Sequence, residues 1–306
     1  MISVRMQLTG FLLLLGCGWG LTQPLIKITV TAGYQPFGIV FWQMLIGAVL
    51  LGVLRWRQMG RMPFTIKTLG VWLMIATIGT LIPGYTSFRA AFHLPSGIMS
   101  IVIATIPMMA FPIALALGND RFSLRRLGGL CLGMIGVALI ALPEASLLER
   151  AMIAFLPLAL IAPFCYACEG NIVARWGTAG LDPFQVLFGA SAIGTIIALS
   201  LALGTGQFFV PQSPFILADA TMLLSSIIHV LVYSGYVWLI ARAGSVFAGQ
   251  VSYIVTGSGV FWAMLLLGET YSLWIWAALV CLAAGLSLVQ PRLAQSEPLG
   301  ETQTHG

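Results

Sequence analysis

The chain has 306 residues, of which 59% are hydrophobic and only 8% charged, with a mean hydropathy of +1.00. That composition excludes a water-soluble core of this length and any separate soluble domain, and it places the chain in lipid. The net charge of +5 and the pI of 9.1 come from loops on one side of the membrane, so they argue for no nucleic-acid partner.

A hydrocarbon layer about 30 Å thick takes about 20 apolar residues per helix, and the sequence divides into ten such segments. The first five run Leu8 to Ile28, Pro36 to Leu54, Leu69 to Phe88, Pro95 to Leu117 and Leu127 to Leu142. The second five run Met152 to Val173, Pro183 to Leu203, Thr221 to Ile240, Val246 to Leu267 and Leu273 to Val289. Short turn signals separate them, among them Asn119-Asp120, Leu142-Pro143-Glu144 and Gly177-Thr178-Ala179-Gly180. Residues 290–306 form a polar tail with the composition of a disordered segment.

The two halves repeat at a constant shift of 149 residues. Asp120, Phe122 and Ser123 fall on Glu269, Tyr271 and Ser272, while Ser96 falls on Ser245 and Gly136 on Gly285. Five helices per half is an odd number, so the halves enter the membrane with opposite orientations, an arrangement typical of transporters. The expected fold is therefore all-α integral membrane, with ten transmembrane helices as two inverted five-helix repeats, 8–142 and 152–289.

Positive charge sets the orientation. With a cytoplasmic N-terminus, 11 of the 14 Lys and Arg lie inside, among them Arg5, Arg57, Arg121, Arg125, Arg126, Arg175 and Arg242. Arg150 stays outside, with Lys27 and Arg89 at the outer helix ends and Glu144, Glu149, Asp219 and Glu269 also outside. The positive-inside rule then puts both termini in the cytoplasm of a cell whose inner membrane holds the chain. Arg5 and the run to Cys17 have the look of a lipoprotein signal, but apolar sequence continues to Ile28 and nine more spans follow, so the first segment is expected to stay as a helix.

Trp19-Gly20 followed by Pro24 and Lys27, Pro107 in the fourth helix, and Asn119-Asp120 or Gly268-Glu269 before a glycine-spaced helix together resemble the EamA repeat of the drug/metabolite transporter superfamily. Gly268-Glu269 is close to that pattern and Asn119-Asp120 departs from it. The resemblance spans Leu8 to Val289. It implies a ten-helix carrier moving a small organic solute, often outward, by alternating access, and superfamily members handle amino acids, other metabolites and drugs.

A carrier must replace the water a solute leaves behind, so polar groups inside apolar helices are the candidates for substrate binding. His229 lies mid-helix with Tyr233 and Tyr236 at helical spacing, offering either a substrate contact or a bond to a neighbouring helix. Trp19, Gln23, Gln43, Tyr85, Tyr166, Gln250, Tyr253 and Trp262 are polar-tipped or aromatic residues that suit either a cavity lining or simple packing. For proton coupling or charge pairing the candidates are Glu169, which either takes a proton or snorkels beside Arg175, and Arg89 and Lys27 at outer helix ends, with His93 close to Arg89. Asp120 and Glu269 read as caps of the helices they precede. Pro83, Pro107, Pro112, Pro157 and Pro163 read as kinks.

The five cysteines lie in apolar segments and read as packing residues, with Cys165 and Cys168 lacking the further ligands of a metal site. No nucleotide-binding loop is present to couple ATP, and no cofactor is expected. The expected partners are a small-molecule solute and the lipid bilayer, with a homodimer left open. Export of an amino acid or related metabolite leads. Drug efflux and uptake are alternatives within the class, and a channel or an intramembrane enzyme lies outside it.

Overall fold

A computed structural model describes residues 4–55, 62–141, 150–211 and 214–289. The expected charges Arg57, Arg61, Glu144 and Glu149 and the tail 290–306 lie outside the described residues. Eight helical stretches are long and apolar enough to cross a membrane: Met6–Thr31, Pro36–Val53, Ile66–His93, Ser96–Ala116, Leu124–Ala141, Ala151–Trp176, Pro183–Gly204 and Leu217–Leu239. Two shorter apolar helices, Val251–Leu267 and Leu273–Val289, complete the described helices. The protein is all-helical and passes through the membrane many times.

The elements are α1 (Val4–Thr31), α2 (Pro36–Arg55), α3 (Ile66–Met74), a π turn (Ile75–Leu81), α4 (Ile82–His93), α5 (Ser96–Ile103), α6 (Ile106–Ala116) and α7 (Leu124–Ala141). After a short 3-10 stretch at Arg150–Phe155 come α8 (Leu156–Trp176), α9 (Pro183–Gly204), α10 (Leu217–Gly249), α11 (Val251–Leu267) and α12 (Leu273–Val289). Two expected single spans are thus interrupted. The third carries the π turn between α3 and α4. The fourth breaks at Ala104-Thr105, because Pro107 has no N–H for the carbonyl four residues back and the Ala104 and Thr105 amides bond Ile101 and Val102 instead.

The turn expected between Ile240 and Val246 is not there. Helix α10 runs on to Gly249 and the break falls at Gln250. The equivalent place in the first half carries Leu94-Pro95, where proline ends α4, whereas the second half carries Ala243-Gly244, which a helix tolerates.

Polar residues fix the helix starts. Thr65 accepts from the Thr68 amide at 3.2 Å while Thr68 Oγ1 accepts from the Thr65 amide at 2.9 Å, and Asp182 and Gln185 make the same reciprocal pair at α9. Asp219, expected only as an outer-face charge, is fully buried, accepting from the Ile216 amide at 3.1 Å and from the Tyr34 hydroxyl at 2.6 Å. Burial, and after it this carboxylate, pushes the Tyr34 hydroxyl pKa up to about 12.

The principal helix pairings recur when the halves are exchanged. Helix α1 packs on α10 and α11, and its counterpart α8 packs on the α4 and α6 segments; α2 packs on α9, and α7 on α12. Most of these contacts join one half to the other. The α7–α12 contact depends on glycine: a Cβ on Gly129 would lie 2.7 Å from the Gly285 carbonyl oxygen, and one on Gly285 equally close to that of Gly129. Two separate apolar cores result. A small one joins α1, α10 and α11 through Leu12, Leu15, Val232, Leu239, Val251 and Val255, and a large one takes in the other helices together with Ile26 and Val30 of α1, Met222 of α10 and Val260 of α11.

Candidate functional site

Trp19 stands near the middle of Met6–Thr31 and His229 near the middle of Leu217–Leu239. Spacings of four and three residues put His229, Tyr233 and Tyr236 on one face of α10. The indole meets all three, with ring centroids 6.0, 6.1 and 6.0 Å away and interplanar angles of 81°, 86° and 65°. The His229 and Tyr233 rings are parallel to within 5°, 6.3 Å apart. Helix α1 comes this close because residue 18 is glycine, where a Cβ would lie 3.1 Å from Val232 Cγ2.

Helix α8, also of the second half, supplies a carboxylate. Glu169 on α8 rests against Gly79, so that a Cβ there would lie 2.8 Å from Oε2 and 3.0 Å from Oε1. Gly79 belongs to the π turn, at the middle of Ile66–His93. Pro83 offers no N–H to the Gly79 carbonyl, and the ladder widens to the five-residue spacing, with the Ile82 amide bonding the Thr77 carbonyl. The turn and the missing side chain make room for the carboxylate at mid-span.

Tyr166, one turn before Glu169, lies within electrostatic reach of both Glu169 and Tyr233, and Tyr233 within reach of Glu169. Tyr233 therefore links the aromatic cluster to the acid. Trp19, Tyr166, Glu169, His229, Tyr233 and Tyr236 are all half-buried, each keeping part of its surface open. Helix α8 belongs to the large core, while this part of α10 shares the small core with α1 and α11. At the repeat shift Gly20 corresponds to Glu169 and Thr80 to His229, so neither the acid nor the imidazole is duplicated in the first half.

The remaining candidates lie elsewhere. Gln23 and Gln43 are half-buried within α1 and α2. Tyr85 stacks on Phe37 at 4.5 Å, Tyr253 packs against the large core, and Gln250 is exposed at the α10–α11 break. Trp262 donates to the Cys17 carbonyl at 3.1 Å, fastening α11 to α1. Arg89 is exposed at the rim of a shallow recess of about 110 Å³ that also holds Tyr34, Gln35 and His93, and His93 stacks on Phe155 at 3.6 Å.

Lys27 is a cap. Its Nζ donates to the carbonyls of Ala91, Phe92 and Leu94 at 2.8, 3.0 and 2.9 Å, closing the C-terminal end of α4. Glu269 closes the other side of the same hairpin, accepting from the Ser96 and Gly97 amides at 2.7 and 3.1 Å and from the Tyr271 hydroxyl at 2.5 Å. This corrects the expectation that Glu269 caps the helix after it: Gly268, at φ +64°, turns the chain so that the carboxylate reaches α5 instead. Burial first, then Glu269, raises the Tyr271 phenol pKa above its ordinary value. Asp120, expected in the same role, pairs with Arg126 and accepts from the Arg121 amide.

Sequence reasoning missed Gly79, the partner that the carboxylate leans on. The available signal was proline four residues after glycine in the middle of an apolar run. It also understated Asn171, which donates to the Ala110 and Ala167 carbonyls and accepts from Asn119, joining α8 to α6 and to the loop before α7.

No curated protein matches this chain in sequence. Among solved structures, a chain described as "Crystal structure of protein" superposes with a TM-score of 0.57 at 16% identity, covering 93% of this chain and 97% of its own length. That likeness shows a shared fold. The profile of the EamA-like transporter family matches twice, over residues 8–142 and 154–290. Each half of the molecule is one such unit, and the chain belongs to the EamA-like transporter family.

Proposed function

We propose that the chain is a secondary transporter that moves a small organic solute, an amino acid or related metabolite, across the inner membrane by alternating access. Export is the favoured direction, and drug efflux or uptake within the same class is the alternative. In this reading ten helices cross the bilayer as two inverted five-helix repeats, with both termini in the cytoplasm. The distribution of Lys and Arg supports that orientation.

One observation carries the reading: Trp19 of the first half meets His229, Tyr233 and Tyr236 of the second near mid-span, and Glu169 of the second half lies against Gly79 near mid-span of the first. Intramembrane polar groups are costly unless a solute or an ion uses them. Trp19, Tyr166, His229, Tyr233 and Tyr236 contact the solute, with Gln23 and Gln43 as half-buried polar neighbours on α1 and α2. Glu169 carries the charge exchange. The halves rock about the chamber, exposing it to each side in turn.

Counterflow in proteoliposomes tests this. A saturable exchange of labelled solute, lost in His229→Ala and Tyr233→Ala while the protein still elutes as a sharp peak in detergent, is the expected result. Flux that never saturates would mark a channel. Cysteine labelling of the two ends from opposite sides of the membrane would overturn the topology.

A further inference from the structure

We propose that the chamber selects a solute with a net positive charge on an aromatic or amphipathic frame, an organic amine. The proposal rests on the transporter reading above and narrows it. Its basis is the inventory of charge at mid-span. Among the described residues, Asp120, Asp182, Asp219 and Glu269 are all committed to helix ends or to Arg126. Glu169 is the one acid left inside the bundle, and it leans on backbone at Gly79 with no basic side chain beside it.

The described basic side chains are elsewhere. Lys27 spends its three protons on α4 carbonyls, Arg126 pairs with Asp120, and Arg242 lies over the Trp238 ring at 4.5 Å. The others are exposed at the helix ends and loops. A solute carboxylate entering this chamber would meet Glu169 across a medium of low dielectric and find no cation to pair with, which is costly.

An ammonium meets the opposite conditions. Trp19 and Tyr233 present π-faces that attract a cation within about 6 Å of the ring centroid, and the attraction grows when water is excluded. The parallel His229 and Tyr233 rings, both nearly perpendicular to Trp19, form an aromatic corner against which an aliphatic or aromatic stem would lie. Tyr166 and Tyr233 lie within electrostatic range of the carboxylate.

Phenethylamine, phenylalanine and phenylacetate share one ring and differ in charge, so calorimetric titration of each into the purified full-length chain tests the proposal directly. Phenethylamine is expected to bind about tenfold more tightly than phenylalanine, or better, with phenylacetate weakest. Glu169→Gln removes that preference and Glu169→Asp keeps it. Equal affinities, a reversed order, no measurable amine binding, or an order unchanged by Glu169→Gln would overturn it. Counterflow separates the two claims: an amine that binds but never exchanges refutes transport and leaves the charge preference standing. Exchange of phenylalanine without the amine does the reverse.

Discussion

The Glu169 carboxylate rests on the backbone of Gly79, and the two residues come from different repeats. An acid on α8 is thereby held against the one wide turn in the helix opposite. Nothing larger than hydrogen fits at residue 79 without moving the carboxylate.

Gly79→Ala should therefore impair the site while sparing the fold. The added methyl would lie 2.8 Å from Oε2, the far end of a flexible side chain that swings aside at little cost. Alanine also favours helix over glycine by up to about 1 kcal/mol. The expected result is an unchanged or slightly raised melting temperature in detergent with loss of most counterflow. A variant that transports normally would show that the carboxylate's position is immaterial.

The α4–α5 hairpin should respond to loss of either cap. Glu269→Ala removes two charge-assisted bonds to the Ser96 and Gly97 amides, and Lys27→Met removes three to the α4 carbonyls. Each is expected to cost about 1 to 2 kcal/mol, in the range of helix-cap substitutions. Thermal unfolding followed by circular dichroism checks this. The double variant should cost less than the sum, because Lys27 and Glu269 also attract each other across the turn.

Much of this arrangement was legible in the residues themselves. Trp19, His229, Tyr233, Tyr236 and Glu169 stand out because an apolar run leaves them no ordinary reason to be there, and helical spacing alone collects the three α10 residues on one face. Gly79 was illegible because its importance lies in a carboxylate brought by another helix, which no local pattern encodes. Glu269 was read as the cap of its own helix, since sequence neighbours are the default partners of a carboxylate at a helix start. The gap expected between Ile240 and Val246 is helix, because Gly244 merely permits a turn where Pro95, its equivalent in the first half, enforces one.

The glycine contact between α7 and α12 predicts a contrast between neighbours. Gly129→Val would press its side chain onto the Gly285 carbonyl, backbone that cannot yield, at an expected cost of about 1 to 3 kcal/mol or outright loss of folding. Gly128→Val meets nothing within 4 Å and should be nearly silent. Expression level and melting temperature of the pair decide the matter. Equal behaviour would mean the two helices separate more easily than their packing implies.

Tyr34 gives an alkaline signature. Its hydroxyl pKa is raised from 10.0 to about 12, first by burial and then by Asp219, so the stability that requires the protonated hydroxyl is complete below pH 10 and is lost as pH rises through about 12. Tyr34→Phe should lose that contribution at neutral pH and show a shallower decline between about pH 10 and 12 than the unmodified chain. Parallel stability profiles of the two proteins would exclude the coupling.

The hairpin between α4 and α5 is stapled on both sides, whereas the matching stretch of the second repeat runs on as unbroken helix. A carrier made of duplicated units would be perfectly balanced if the units were identical, spending equal time with either vestibule ajar. In the carrier proposed above, parting one vestibule would break the five hydrogen bonds of this staple. We propose that the resting posture of such a carrier is biased accordingly, through two side chains, Lys27 and Glu269.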